Sequence, residues 1–195
     1  MPMKRFFCFA LLFAFALNGQ SQSEDKPALS KDPLTAEQLE VYATFLDGYL
    51  QDPKGQLNLA DKTYPLQFSD MDKNGDCLNH LPLENLTEAG HAIHSFGQEI
   101  TKGRKLVLVD AEKHKVKDPG DAIKNGKPVA DAVSEGFASG YPSLSEIVFD
   151  KDHKHAAFKH GFHCGRLCGN GGTVLFEKTA HGWKEIKHSC SVWIS

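Results

Sequence analysis

The stretch from Leu144 to Ser195 constrains the fold more than any other. It runs "LSEIVFD", "HAAFKHGFHCG", "GTVLFEK", "GWKEIKH" and "SVWIS", short segments at the two-residue period of strands. The turns between them are only a few residues long, whereas a crossover between parallel strands takes a dozen residues or more. An antiparallel meander follows, with "TAHGW" as a hairpin turn at Gly182. Upstream the pattern is mostly helical. Helices first and strands last predict an α+β fold, with an N-terminal amphipathic helix and a C-terminal antiparallel β-meander with helices packed on one face.

The helical signals are specific. In "LTAEQLEVYATFLDGYLQD", Thr35 and Gln38 form a capping box, and Leu39, Tyr42, Leu46 and Tyr49 recur at helical spacing. Val41, Phe45 and Leu50 widen the apolar face, so this helix needs a broad partner such as a sheet. "QLNLADKTYPL" alternates weakly and ends at Pro65, as an edge strand does. Ser69 to about Gly103 is polar and irregular, with a short helix expected near Glu88 to Phe96. "KLVLVD" is a compact strand. "KDPGDAIKNG" reads as one helical turn with Asp118 as N-cap and Pro119 at the first helical position. "KPVADAVSEGFASG" reads as a longer helix with Val129, Val133 and Phe137 down one side.

The N-terminus reads as an address. Lys4 and Arg5 precede a continuous apolar run, Phe6 to Leu17, followed by small residues suited to cleavage. That run is too short to span a bilayer. We assign residues 1–23 as a signal peptide, 24–33 as a disordered leader and 34–195 as a single domain. Cys8 lies inside the apolar run and leaves with the signal. The full chain has 22 basic and 25 acidic residues; losing Lys4 and Arg5 leaves 20 against 25, a net charge of −5. A mildly acidic chain without a basic run gives nucleic acid no purchase, and no membrane span remains after cleavage. The expected location is exported, periplasmic or extracellular.

Export bears on the cysteines. Cys77, Cys164, Cys168 and Cys190 remain, an even number suited to two disulfides in an oxidising compartment. Three pairings exist and sequence does not choose among them. "HCGRLCGNGG" (residues 163–172) concentrates the chemistry. Its C-x₃-C spacing is not the C-x₂-C of thioredoxin-type catalysts, and no helix N-terminus is predicted there to stabilise a thiolate. Zinc on His163, Cys164, Cys168, His188 and Cys190 has enough ligands, but export and spacing argue against it. The plainer reading is a stapled turn, either a small loop closed by Cys164–Cys168 or two strands tied by cross-pairing, with Gly165, Gly169, Gly171 and Gly172 supplying positive φ angles. The run from Leu144 to Ser195 resembles the C-terminal part of a family of small exported bacterial proteins of uncharacterised function, with the pattern L-S-x-I-x-F-(D/N), C-G-x-L-C-G-x-G, an apolar strand ending in E-K, and G-x-W-K, the last of which stands here as G-W-K. The resemblance implies export and a sheet; it supplies no catalytic residue.

Two further clusters offer metal chemistry. In "DMDKNGDCL", Asp70, Asp72, Asn74 and Asp76 take the first, third, fifth and seventh positions of a Ca²⁺ loop, with Gly75 at the sixth. The twelfth position is Leu81 rather than a bidentate Glu, so any Ca²⁺ site here is of another kind and weak; an Asp/Asn/Gly turn needs the same residue types. No other cofactor is expected. His153 and His155 share a strand face, and His160 and His163 follow; together they are candidates for a transition metal, against the plainer reading of a solvated face with Lys151, Lys154 and Lys159. His91 and His94 stand one turn apart if their segment is helical. No nucleophile motif such as G-x-S-x-G occurs. Trp183 and Trp193 read as core or edge packing. The chain is therefore expected to be a disulfide-stabilised binding or structural module without catalytic activity, its partner a small ligand or a protein. The alternative is a metal-dependent or hydrolytic enzyme using the histidines near the cysteine loop, which requires polar groups converging around His160, His163 or His188.

Overall fold

A computed structural model describes residues 27–49, 56–68, 78, 92–166 and 168–195, with backbone alone for 187–190. Its helices and antiparallel sheet give an α+β fold. The sheet follows from the turn lengths read in the sequence. Strands β3 (Tyr141–Leu144), β5 (His155–His163), β6 (Gly169–Thr179) and β7 (Gly182–Ile194) lie side by side in that order, all antiparallel, and β4 (Val148–Phe149) adds to β5. Thr179 pairs with Gly182 across the expected hairpin, where Gly182 has a φ of 101°.

Helix α1 (Ala36–Tyr49) crosses one face of this sheet. The capping box forms: the Gln38 N–H donates to Thr35 Oγ1 (3.2 Å) and the Thr35 N–H to Gln38 Oε1 (2.9 Å). Val41, Tyr42, Phe45 and Leu46 are buried against Ala156, Phe158, Val174, Phe176 and Trp183. Tyr42 is the centre of the packing. Its ring meets Phe96 and Phe158 edge-on, and its hydroxyl donates to the Ser145 carbonyl at 2.6 Å, so its one polar atom is satisfied inside the core. The opposite face carries a smaller core of Leu66, Leu78, Val148, Ala157 and Leu175.

Strand β1 (Leu57–Ala60) pairs with β2 (Leu106–Val109), and does so in parallel, which the meander did not foresee. The two segments lie far apart in sequence, so the connection between them is long enough for a parallel pairing. After β1 the chain runs on to Tyr64, which bridges to Ser145 and joins the two sheets.

Several expectations need correction. Residues 27–33 are not a free leader: Leu29 bridges Ile93, with the Ser30 N–H donating to the Ile93 carbonyl at 2.7 Å. Residues 92–96 are extended, and the short helix lies later, as a 3₁₀ turn at Gln98–Thr101. Helix α2 (Pro119–Lys124) starts as expected, with Asp118 accepting from the Asp121 N–H at 3.1 Å. In α3 (Val129–Ser139) the apolar stripe is on the outside. Val129, Val133 and Phe137 are exposed, whereas Ala132 and Gly136 are buried. The reason is close approach. A Cβ on Gly136 would stand 2.6 Å from Pro119 Cγ and 3.2 Å from the Cys164 carbonyl, so the helix docks through its smallest residues.

Candidate ligand site

Strand alternation decides which side chains meet on the face away from α1. The register places Ser143 of β3 opposite Gly161 of β5, Gly161 opposite Gly171 of β6, and Gly171 opposite Trp193 of β7. These four residues form one row across the sheet. His163 stands in the neighbouring row, opposite Tyr141 and Gly169.

Trp193 would not belong to this row in a regular ladder. Between Gly171 and Thr173 the β6 strand advances two residues, but its partner on β7 goes from Trp193 to Cys190, three residues. The extra residue is a β-bulge, and Ser191 within it takes a left-handed φ of 50°. A bulge reverses the alternation beyond it and so re-aims a side chain. Here it turns the indole onto the glycine row. A Cβ on Gly171 would lie 2.7 Å from the indole Nε1, and one on Gly169 would lie 3.3 Å from Cζ3. The indole therefore lies against bare backbone, yet Trp193 remains 42 % exposed.

Three side chains converge over Gly161. The point where its Cβ would stand is 3.3 Å from His163 Nε2, 3.3 Å from Trp193 Cζ2 and 3.6 Å from Ser143 Oγ. Ser143 Oγ and His163 Nε2 are themselves 2.9 Å apart. Partial desolvation lowers the His163 pKa from the ordinary histidine value although the side chain is exposed, which favours the neutral imidazole with one donor and one acceptor. A cavity of about 330 Å³ opens here, bordered also by Tyr64, Lys159, His160 and Ser191. That is the small end of the range for ligand pockets. A second cleft shares His163 and lies beside Asp118, Asp121 and Arg166, where the guanidinium pairs with both carboxylates.

The cysteine loop beside this site is a staple. Cys164 and Cys168 form a disulfide with Cα atoms 5.0 Å apart, and the Cys164 N–H donates to the Cys168 carbonyl at 2.9 Å. Of the four glycines expected to supply positive φ, only Gly165 does, at 137°. Gly169 and Gly171 serve instead as bare backbone beneath Trp193. The Arg166 N–H donates to Asp118 Oδ2 at 2.6 Å, tying the loop to the start of α2 and holding the Asp118 carboxyl below its usual range.

The four histidines proposed for a transition metal do not meet. His153 lies in a turn with a φ of 53°, its Nδ1 2.7 Å from Glu37 of α1; His155 Nδ1 is 2.7 Å from Asp150. The His160 ring lies on the α1 face against Phe45, at 5.1 Å between centroids, while His163 lies on the other. Among the described residues, no group of three or more His, Cys, Asp or Glu side chains could hold a metal ion. Asp70, Asp72, Asn74, Asp76, Cys77 and His91 lie outside the described residues, as do the side chains of His188 and Cys190.

Sequence reasoning missed one buried polar group. Glu146, only 4 % exposed, accepts from the Thr63 hydroxyl and the His94 N–H and lies 2.8 Å from His94 Nδ1. This network clamps residues 92–96 to the end of β1. Thr63, His94 and Glu146 are too far apart in sequence to signal one another. No known family model, curated protein or solved structure matches the chain. Geometry therefore carries the functional reading.

Proposed function

We propose that this is an exported, disulfide-stabilised binding module without catalytic activity, which takes a small ligand in the cavity between Ser143, His163 and Trp193. The convergence of those three side chains over Gly161 is the observation that carries this reading. Export is supported by the apolar N-terminal run, by the Cys164–Cys168 disulfide and by the resemblance to small exported bacterial proteins. No described helix is long and apolar enough to cross a membrane. An NMR screen of small polar and aromatic fragments against the ¹⁵N-labelled mature chain tests the cavity. Binders should shift the Gly161 and Gly171 amides and the Trp193 indole N–H together. If no fragment moves them, the binding reading fails.

One observation favours the hydrolytic alternative: Ser143 Oγ stands 2.9 Å from a neutral His163, the geometry of a nucleophile and its base. Among the described residues, however, no carboxylate orients the other ring nitrogen. A fluorophosphonate separates the two. A competent pair would bond Ser143 Oγ to phosphorus, expel fluoride and pass the hydroxyl proton to His163 Nε2. The binding reading expects an unchanged intact mass; a covalent adduct lost in Ser143→Ala would establish the enzyme.

A further inference from the structure

The ligand class can be narrowed, on the reading that the cavity beside Trp193 is a binding site. We propose that this cavity takes a sugar ring, laid against the exposed surface of the Trp193 indole and held at its edge by Ser143 and His163.

Three independent features point to this chemistry. The first is the plate. Atoms of both indole rings lie over the backbone of Gly161, Gly169 and Gly171, and Trp193 remains 42 % exposed, so indole surface is left for a ligand. An aromatic face carries the negative end of the ring's quadrupole. The axial C–H bonds on one face of a pyranose carry partial positive charge and fit that surface in area and sign. The second is how the plate is placed. The bulge at Ser191, with its left-handed backbone, brings Trp193 rather than Val192 opposite Gly171. Bulges and non-glycine residues at positive φ concentrate at functional sites, where the surrounding structure sustains them. The third is the rim. The Ser143 hydroxyl and the neutral His163 imidazole each donate and accept. So does a sugar hydroxyl.

The charges agree. Among the described residues, those lining the cavity include no carboxylate and one cation, Lys159, whose ammonium lies 5.9 Å from the Phe68 ring centroid. The lining therefore suits a neutral ring, and an acidic sugar is tolerated. Among the described residues, its large aromatic side chains are Trp193 and Tyr64.

The experiment titrates the ¹⁵N-labelled mature chain with maltotriose, cellotriose, chitotriose and tri-galacturonate, following backbone amides and both indole N–H signals. The expected result is a saturable shift, with at least one of these sugars, of the Trp193 indole and the Gly161 and His163 amides, while the buried Trp183 indole stays put. Trp193→Ala should weaken binding by up to about tenfold, the scale of one lost stacking contact. Ser143→Ala keeps the plate and should weaken it less; it guards against a folding defect in the first variant. If the sugars shift nothing but indole or benzamidine moves the same resonances, the sugar assignment is overturned and the cavity stands. If no probe moves them, both fall. Sugar-induced shifts confined to another surface overturn the site as drawn.

Discussion

A methyl group at position 171 would stand 2.3 Å from the His160 carbonyl oxygen and 2.7 Å from the Trp193 indole nitrogen. The first neighbour is backbone in the adjacent strand and has nowhere to go. Gly171→Ala is therefore expected to lower stability by about 1–3 kcal/mol, the usual cost of overpacking, and to lift the indole off its bed. Urea denaturation reads the first effect and Trp193 emission the second; an unchanged midpoint would show that the ring is not seated there. Gly161 is less confined, since its nearest neighbours are side-chain tips at 3.3 Å. The residue scale also explains why a glycine-rich stretch misleads. Gly169 and Gly171 look like turn residues in a string of letters, but they lie in a strand and matter for the space above them.

Helices α1 and α3 have comparable apolar stripes in sequence and opposite fates. The stripe of α1 widens through Val41 and Phe45, and both are buried in the main core. The stripe of α3 faces out because Gly136 lets that helix approach Pro119 and the cysteine loop on its other side. Phe45→Ala should thus cost about 3–5 kcal/mol. Thr35→Ala, which removes half of the capping box, should cost about 1 kcal/mol. Val129→Ser should stay within about 0.5 kcal/mol of the parent, as surface substitutions do. Chemical denaturation of the three variants checks the order. A large loss from Val129→Ser would mean that the outer face of α3 is covered in solution.

For the whole molecule, the shifted histidines His160 and His163 and the carboxylates of Glu37 and Asp150 push in one direction on the acid side. Burial holds His160 and His163 below the ordinary histidine value of 6.5, so the unfolded chain takes up those protons first as pH falls. Stability is then lost from about pH 6.5 downward. Glu37 is held low by its hydrogen bond from Lys178 and by His153. For Asp150, burial acts upward, but the His155 ring and the backbone N–H groups of Lys154 and His155 outweigh it. Those two carboxylates add stability above their unfolded values, 4.5 and 3.8, and lose it as pH falls through their lower folded values. The urea midpoint should be highest near pH 7–8 and decline in two stages on acidification. A midpoint that is flat from pH 7 to pH 5 would show that the two histidines are not desolvated. Cross-linking belongs to this scale too. Non-reducing peptide mapping should show Cys164 joined to Cys168, leaving Cys77 and Cys190 as the second pair. Leu78, the sequence neighbour of Cys77, packs with Leu175 and Ile186 beside β7. Free thiols at positions 77 and 190 would defeat that pairing.

Much of the architecture was legible in local sequence. Turn length alone dictated the antiparallel meander, the Thr35–Gln38 pair marked the start of α1, and Asp118 with Pro119 marked the start of α2, because each is a short-range effect of chain geometry or a cap. The C-x₃-C spacing likewise allowed a short staple between strands. What local sequence could not carry was anything that depends on register. Two register shifts in the β6–β7 ladder, between Gly171 and Leu175, decide which β7 residue faces the glycines, and the row from Ser143 through Gly161 and Gly171 to Trp193 exists only once four strands are aligned. The parallel β1–β2 pair and the Thr63–His94–Glu146 network depend in the same way on contacts between distant segments. Side-chain period shows which residues can share a face. Only tertiary pairing decides which of them meet, because a shift of one residue sends every side chain to the other side of the sheet.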